Sequence, residues 1–195
     1  YVVGHVITGV FENRICVEFV KVLSFLKSQH IEDITLEDMI NLFEFVISPS
    51  DRIVTGAIYT PKNIRDYILG LCLDTFSDLC DVRVADIACG CGGFLMDAAK
   101  TIHHKTNKSY YDIFRQNIYG IDIQSYSIER STILLNLLAV SDNEVADFDF
   151  NLLCADTLNF KSEIWDTYYS KFDVIVGNPP YVPYYTTLDP RNEDV

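Results

Sequence analysis

The sequence predicts an α/β fold, a parallel β-sheet whose strands are joined by helices, with a helical segment ahead of it. Three observations predict it. From about residue 82 onward, short apolar strand-like runs alternate with stretches of helical periodicity. The first run ends in a glycine turn, Gly90-Cys91-Gly92-Gly93. The last is stopped abruptly by Pro179-Pro180. Strand–helix–strand alternation of this kind closes into a parallel sheet through right-handed crossovers.

The elements follow in order. From about Val10 to Ser48, apolar positions recur at helical spacing, first through Val17, Val20 and Leu23, then through Leu36, Met39, Ile40, Phe43 and Val46. Two helices are expected there, packed on something else. Thr35 is the expected N-cap of the second, with Glu37 and Asp38 in its first turn. Ser48-Pro49-Ser50-Asp51 breaks the pattern and divides the chain into a helical segment, 1–50, and an α/β domain, 51–195. Thr60-Pro61-Lys62 reads as a helix start, with Thr60 as cap and Pro61 at the first helical position. That helix is expected to run through Ile64, Tyr67, Ile68, Leu71 and Leu73 to about Phe76. Strands are expected over Val82–Ile87, Asn117–Ile123, Phe150–Cys154 and Phe172–Gly177. Helices are expected from about Phe94 to His103 and from Ser125 to about Leu138.

Composition limits the possible functions. A chain of 195 residues with 49% hydrophobic and 22% charged residues can bury one ordinary domain core. No run of about eighteen apolar residues appears, so no membrane span is expected. No basic segment precedes an apolar stretch at Tyr1, so no intact signal peptide is expected either. The missing start methionine points to a fragment or to processing. Six cysteines show no paired framework and no C-x-x-C. Reduced core or loop thiols in a cytoplasmic protein are the expectation, with no metal site. Adjacent His103 and His104 would point roughly 100° apart on a helix and are expected to be exposed. The formal charge of −13 and pI near 4.5 argue against a duplex-binding surface on this chain. Either such a surface lies elsewhere, or the substrate is not nucleic acid.

Four short constellations carry chemistry. In Ala85-Asp86-Ile87-Ala88-Cys89-Gly90-Cys91-Gly92-Gly93-Phe94, glycines let the backbone approach a ligand and the helix start offers free N–H groups. The alternative is a tight turn with no ligand. Leu95 stands where the dinucleotide-binding pattern needs a third glycine. In Tyr119-Gly120-Ile121-Asp122-Ile123, the acid at a strand end can hold two ribose hydroxyls, or cap the next helix. It lies about thirty residues past the glycine turn, beyond the roughly 20 of a nicotinamide-binding unit. In Cys154-Ala155-Asp156-Thr157-Leu158, Asp156 can accept from an adenine amino group, or be a solvated loop acid.

The sharpest is Asn178-Pro179-Pro180-Tyr181 after the strand Asp173-Val174-Ile175-Val176. An aromatic amine is a poor nucleophile because its lone pair is delocalised into the ring. Oxygen acceptors around its N–H bonds draw the nitrogen towards tetrahedral geometry. Asn178 supplies a side-chain carbonyl, Pro179 a backbone carbonyl fixed by its ring, and Tyr181 a face for base stacking. The alternative is a rigid strand-terminating turn.

Taken together, these residues resemble the Asn-Pro-Pro-Tyr amino-methyltransferase family, and in particular the N6-adenine DNA methyltransferases of restriction–modification systems. Gly56-Ala57-Ile58-Tyr59-Thr60-Pro61 looks like the motif that, in the gamma-type order, precedes the glycine turn. The resemblance extends from about Gly56 to Tyr181, roughly two-thirds of the chain. It implies a Rossmann-like S-adenosylmethionine-dependent methyltransferase sheet, partial because only about fourteen residues follow Tyr181. Four strands in the order 3-2-1-4 are then expected, with three further strands and a target-recognition domain missing. The implied cofactor is S-adenosyl-L-methionine. Asp86 and Gly90 would shape its methionine pocket, with Thr60 touching its carboxylate, and Gly92 and Phe94 would also bind the cofactor. Asp122 would hold its ribose, Ile123 would sit beside its adenine, and Asp156 would bind the adenine amino group. Asn178, Pro179, Pro180 and Tyr181 would hold a flipped-out target adenine. The methyl would pass in line from sulfonium to nitrogen without a metal. The implied partners are double-stranded DNA, bound through a recognition region not in this chain, and a specificity or nuclease subunit or domain. Ile87 and Cys91 depart from the proline and serine common in the family, but both changes are small enough to keep the turn.

Two rival readings stay open at this point. A protein-glutamine N5-methyltransferase shares the tetrapeptide and suits an acidic protein, but lacks the Tyr-Thr-Pro motif. A cofactor-binding subunit without turnover of its own suits the acidic charge. A nicotinamide oxidoreductase is disfavoured by the missing glycine and the long spacing to Asp122.

Overall fold

A computed structural model describes residues 35–45, 59–159, 168 and 171–181. The expected helix through Val17–Leu23, the break at 48–51 and Gly56-Ala57-Ile58 lie outside the described residues. Helix α1 spans Leu36–Phe45. It starts as expected: the Asp38 N–H donates to Thr35 Oγ1 at 3.1 Å, and Thr35 N–H donates back to Asp38 Oδ2 at 2.9 Å. This reciprocal pair satisfies two backbone donors at once. Met39, Ile40 and Phe43 then join the same core as the sheet.

Helix α2, Lys62–Leu73, departs from the sequence reading in two ways. Thr60 is not its cap. Pro61 takes that position with φ −56° and ψ 148°, and its carbonyl accepts from Ile64 and Arg65 N–H. The helix also ends at Leu73, where the chain turns through Asp74, rather than near Phe76. Within it, Ile64, Tyr67 and Leu71 are exposed, while Arg65, Leu69 and Leu73 form the inward stripe, with the arginine ion-paired to Glu37 and Asp97.

The sheet comprises β1 (Val84–Asp86), β2 (Ile118–Asp122), β3 (Asn151–Cys154) and β4 (Val174–Val176). They lie in the order β3-β2-β1-β4, all parallel, as expected. The register places Asp86 level with both Gly120 and Val176, and Asp122 level with Cys154. The carboxyl ends of all four strands therefore open on one edge. β1, flanked by β2 and β4, marks the point where strand order reverses, the place where parallel α/β sheets bind ligands.

β1 is three residues long because the Asp86 carboxylate accepts from Ala88 N–H at 3.1 Å and turns the chain. At the opposite end, the buried Asn117 side chain donates to the Cys80 and Val82 carbonyls, fixing where β1 begins. Helix α3, Gly93–Thr106, is buried from Gly93 through Ala99 and again at Ile102. Each of its larger apolar side chains removed from water contributes roughly 1.5–3 kcal/mol.

Helix α4, Tyr110–Gln116, is absent from the sequence reading. Ser109 caps it by accepting from Asp112 N–H, and Tyr110, Ile113 and Phe114 face inward. His103 also differs from expectation. It is half-buried, stacks on Tyr110 with ring centroids 4.5 Å apart, and contacts the Lys108 carbonyl through Nδ1. Helix α5, Ser125–Ser141, packs on α1 and covers the sheet with Ile133, Leu134, Leu135 and Leu138. No described helix is long and apolar enough to cross a membrane.

Candidate active site

Where β1 meets α3, the chain turns through Cys89-Gly90-Cys91-Gly92. Gly90 and Gly92 have φ of +55° and +87°, a region in which a side chain is strained. The two glycines do different things. A Cβ on Gly90 would lie 3.1 Å from the Tyr59 ring, so that ring packs directly over the turn. A Cβ on Gly92 would meet Ser131 Oγ at 2.9 Å and its Cα at 3.2 Å, so Gly92 lets α3 and α5 approach. Ser131 in turn donates to the Gly90 carbonyl at 3.0 Å. Cys89 N–H donates to the Ile121 carbonyl at 3.0 Å, tying the turn to β2.

Asp122, ending β2, completes the anchorage. Its Oδ2 accepts from Gly90 N–H and its Oδ1 from Gln124 N–H, both at 2.9 Å. Each carboxylate oxygen has a second lone pair, so a diol can still be bound from the cavity side.

Asp86, ending β1, is 1% exposed and among the described residues receives a single hydrogen bond, from Ala88 N–H. Burial, reinforced by the nearby Asp122 charge and opposed by the Ala88 bond, raises its pKa to about 7. A cationic group placed against it would offset that burial. Gly177 brings β4 close: a Cβ there would stand 3.1 Å from Asp86 Oδ1.

These groups surround one cavity of about 820 Å³. Of the residues singled out in the sequence, it is lined by Thr60, Asp86, Gly90, Phe94, Asp122, Ile123, Asp156, Asn178, Pro179 and Pro180. Gly92 and Tyr181 are not part of the lining. Gly92 faces Ser131, and Tyr181 stands 65% exposed beyond the rim. Asp156 is exposed and accepts from Leu158 N–H at 2.9 Å, which shapes its loop at the mouth.

Sequence reasoning missed two contributors. Tyr59 lies inside the quoted Tyr-Thr-Pro motif, yet nothing local showed its ring covering Gly90. Arg65 also lines the cavity, and its partners Glu37 and Asp97 are 28 and 32 residues distant. Buried Cys89 and Cys91 belong to the core beneath the turn. Among the described residues, no His/Cys/Asp/Glu group has the arrangement of a metal site.

The donor set fits S-adenosylmethionine. A buried carboxylate suits its ammonium group, an anchored strand-end carboxylate suits its ribose, and a glycine turn at a helix start permits close approach. Ile123 and Phe94 supply apolar walls for a nucleobase.

The type II methyltransferase M.CvrRI of Paramecium bursaria Chlorella virus XZ-6E is 29% identical over 145 residues, 74% of this chain and 29% of that protein. The type II methyltransferase M.VspI of Vibrio sp. (strain 343) is 30% identical over 151 residues, again 74% of this chain and 30% of that protein. The chain thus spans about three-tenths of the length of these curated relatives. Two solved structures share the fold at a TM-score of 0.53. One is the DrdV–DNA complex, at 18% identity over 75% of this chain and 16% of that one. The other is the ATP-dependent type ISP restriction–modification enzyme LlaBIII bound to DNA, at 16% identity over 92% of this chain and 16% of that one. With the sheet order, the Rossmann-like methyltransferase architecture and a match of residues 37–194 to the family described as N-6 DNA Methylase, the chain belongs to that family.

Proposed function

We propose that this chain carries the S-adenosylmethionine pocket and the target-amine site of an adenine-N6 DNA methyltransferase of a restriction–modification system. One observation carries the reading: Asn178 and Pro179, at the carboxyl end of β4, share a single cavity with Asp86, Gly90 and Asp122. A methyl donor and an amino acceptor can therefore meet within it. The family match to a DNA methylase favours DNA over a glutamine side chain as substrate.

Bound S-adenosylmethionine supplies a methyl group activated by a sulfonium. The chain's own residues do the rest. Asp86 holds a cation out of water, Asp122 orients a diol, and the glycine turn lets the ligand sit against the start of α3. Asn178 and the Pro179 carbonyl accept from the target N–H bonds, which localises the nitrogen lone pair. Pro179 and Pro180 restrict the backbone, so the acceptors need little reorganisation when a substrate arrives. Tyr181, beyond the rim, offers a ring for an extruded base to stack on. Catalysis is positioning and polarisation. The acidic charge of this chain fits a reading in which the phosphate-binding surface belongs to a recognition region or partner subunit.

The test uses the intact protein with methyl-labelled S-adenosylmethionine and double-stranded DNA. Label recovered as N6-methyladenine is expected. Label found only on protein would end the DNA reading.

A further inference from the structure

Arg65 is 2% exposed, in a helix stripe whose other inward members are Leu69 and Leu73. Each of its three guanidinium nitrogens donates to a different part of the chain. Nε donates to Asp97 Oδ2 on α3 at 2.7 Å. Nη1 donates to the Thr60 carbonyl at 2.7 Å. Nη2 donates to Glu37 Oε2 on α1 at 2.6 Å. Asp97 is itself only 5% exposed. Even when fully satisfied, as here, a buried ion pair often adds no more stability than well-packed apolar residues of similar volume in place of both partners. Stability alone therefore gives no reason for an arginine here.

What the arginine supplies is position. It fixes the carbonyl of Thr60, which lines the cavity. It also crosses the first turn of α3 so closely that a Cβ on Gly93 would lie 3.2 Å from Cδ and Nε. Its charge is matched by two carboxylates, so it is not a free cation waiting for an anionic ligand.

We propose that Arg65 is a positioning residue for cofactor binding, and that through Glu37 it holds in place helix α1, whose Ile40 lines the cavity. This rests on the reading of the cavity as an S-adenosylmethionine site. Arginine is required because its planar fork reaches three diverging acceptors, whereas lysine presents one point charge.

The experiment measures S-adenosylmethionine affinity by calorimetry on the intact protein. Its variants are Arg65→Lys, Arg65→Met, Glu37→Gln and, as control, Asp66→Asn in the exposed Lys62–Asp66 pair. Both Arg65 variants are expected to weaken binding roughly tenfold, and Glu37→Gln roughly threefold. Asp66→Asn should bind as the wild type does. In steady-state methylation the loss should fall on KM for the cofactor more than on kcat. The Arg65→Met/Glu37→Gln double variant should be no weaker than Arg65→Met, because Glu37 acts through the arginine. Wild-type affinity in Glu37→Gln, or an additive double variant, would overturn the proposal. Since Glu37 is partly exposed, that arm stands even if an Arg65 variant fails to fold. A wild type that binds no S-adenosylmethionine would instead overturn the cofactor reading, a separate result.

Discussion

On the β1–β2 side of the cavity, Asp86 is nearly inaccessible and Asp122 holds two backbone N–H groups, whereas at the end of β4 Pro179, Pro180 and Tyr181 all stand exposed. The first side is built by the chain's own hydrogen bonds. The second presents a stiff backbone towards open space. On the proposed function, the contrast separates two jobs: a small, recurrent ligand is met by a finished pocket, and a large polymer by a surface that its own bases would cover.

If that division is right, substitutions on the two sides should fail differently. The largest effect is expected for Asn178→Ala. Removing one acceptor from the target nitrogen should lower methyl transfer by about a thousandfold or more, while cofactor affinity changes by less than about threefold. Labelled-methyl incorporation beside calorimetric affinity checks both halves. A parallel loss of cofactor binding would erase the distinction between the sides.

Next comes Asp86→Asn, read as stability against pH. The folded pKa of Asp86 is raised from 3.8 to about 7. Its favourable contribution is thus fully present below pH 3.8 and is lost as pH rises through 7. Asparagine can keep the Ala88 hydrogen bond without that loss. The ligand-free variant should therefore be more stable than wild type at pH 8, by roughly 2–4 kcal/mol, and the two should converge at low pH. Melting curves across the range measure this, and a variant less stable at pH 8 would contradict it.

Asp122→Ala should weaken S-adenosylmethionine binding between about ten- and a hundredfold, because the Gly90 and Gln124 N–H groups lose their acceptor as well. The smallest effect is expected for Gly92→Ala. Strain at positive φ and the collision with Ser131 should lower stability by about 1–2 kcal/mol, measured by denaturant titration.

Much of the sheet was legible because its signals are local. Strand runs, the glycine turn and the Pro-Pro stop each lie within a few residues and mark where the strands are, while the order β3-β2-β1-β4 was implied by the family resemblance and is the order the sheet has. Helix α4 was legible too but went unread: Ser109-x-x-Asp112 is a capping pattern, and Tyr110, Ile113 and Phe114 have helical spacing. The inward face of α2 is not legible for a different reason: Arg65 turns inward because Glu37 and Asp97 meet it there. Nothing within a few residues of Arg65 encodes those partners. The same holds for Gly92, whose obligation is to Ser131 across the fold, and for Asp86, whose raised pKa comes from burial.

The two thiols beneath the glycine turn offer a built-in clock. Burial pushes Cys91 up to about 12 and Cys89 upward as well, so neither presents a reactive thiolate at neutral pH while the turn is closed. Cys154, exposed at the end of β3, is open to the same alkylating reagent on the same molecule. The lag between alkylation of Cys154 and of the buried pair therefore times how often this loop opens, and any ligand that clamps it will lengthen the lag.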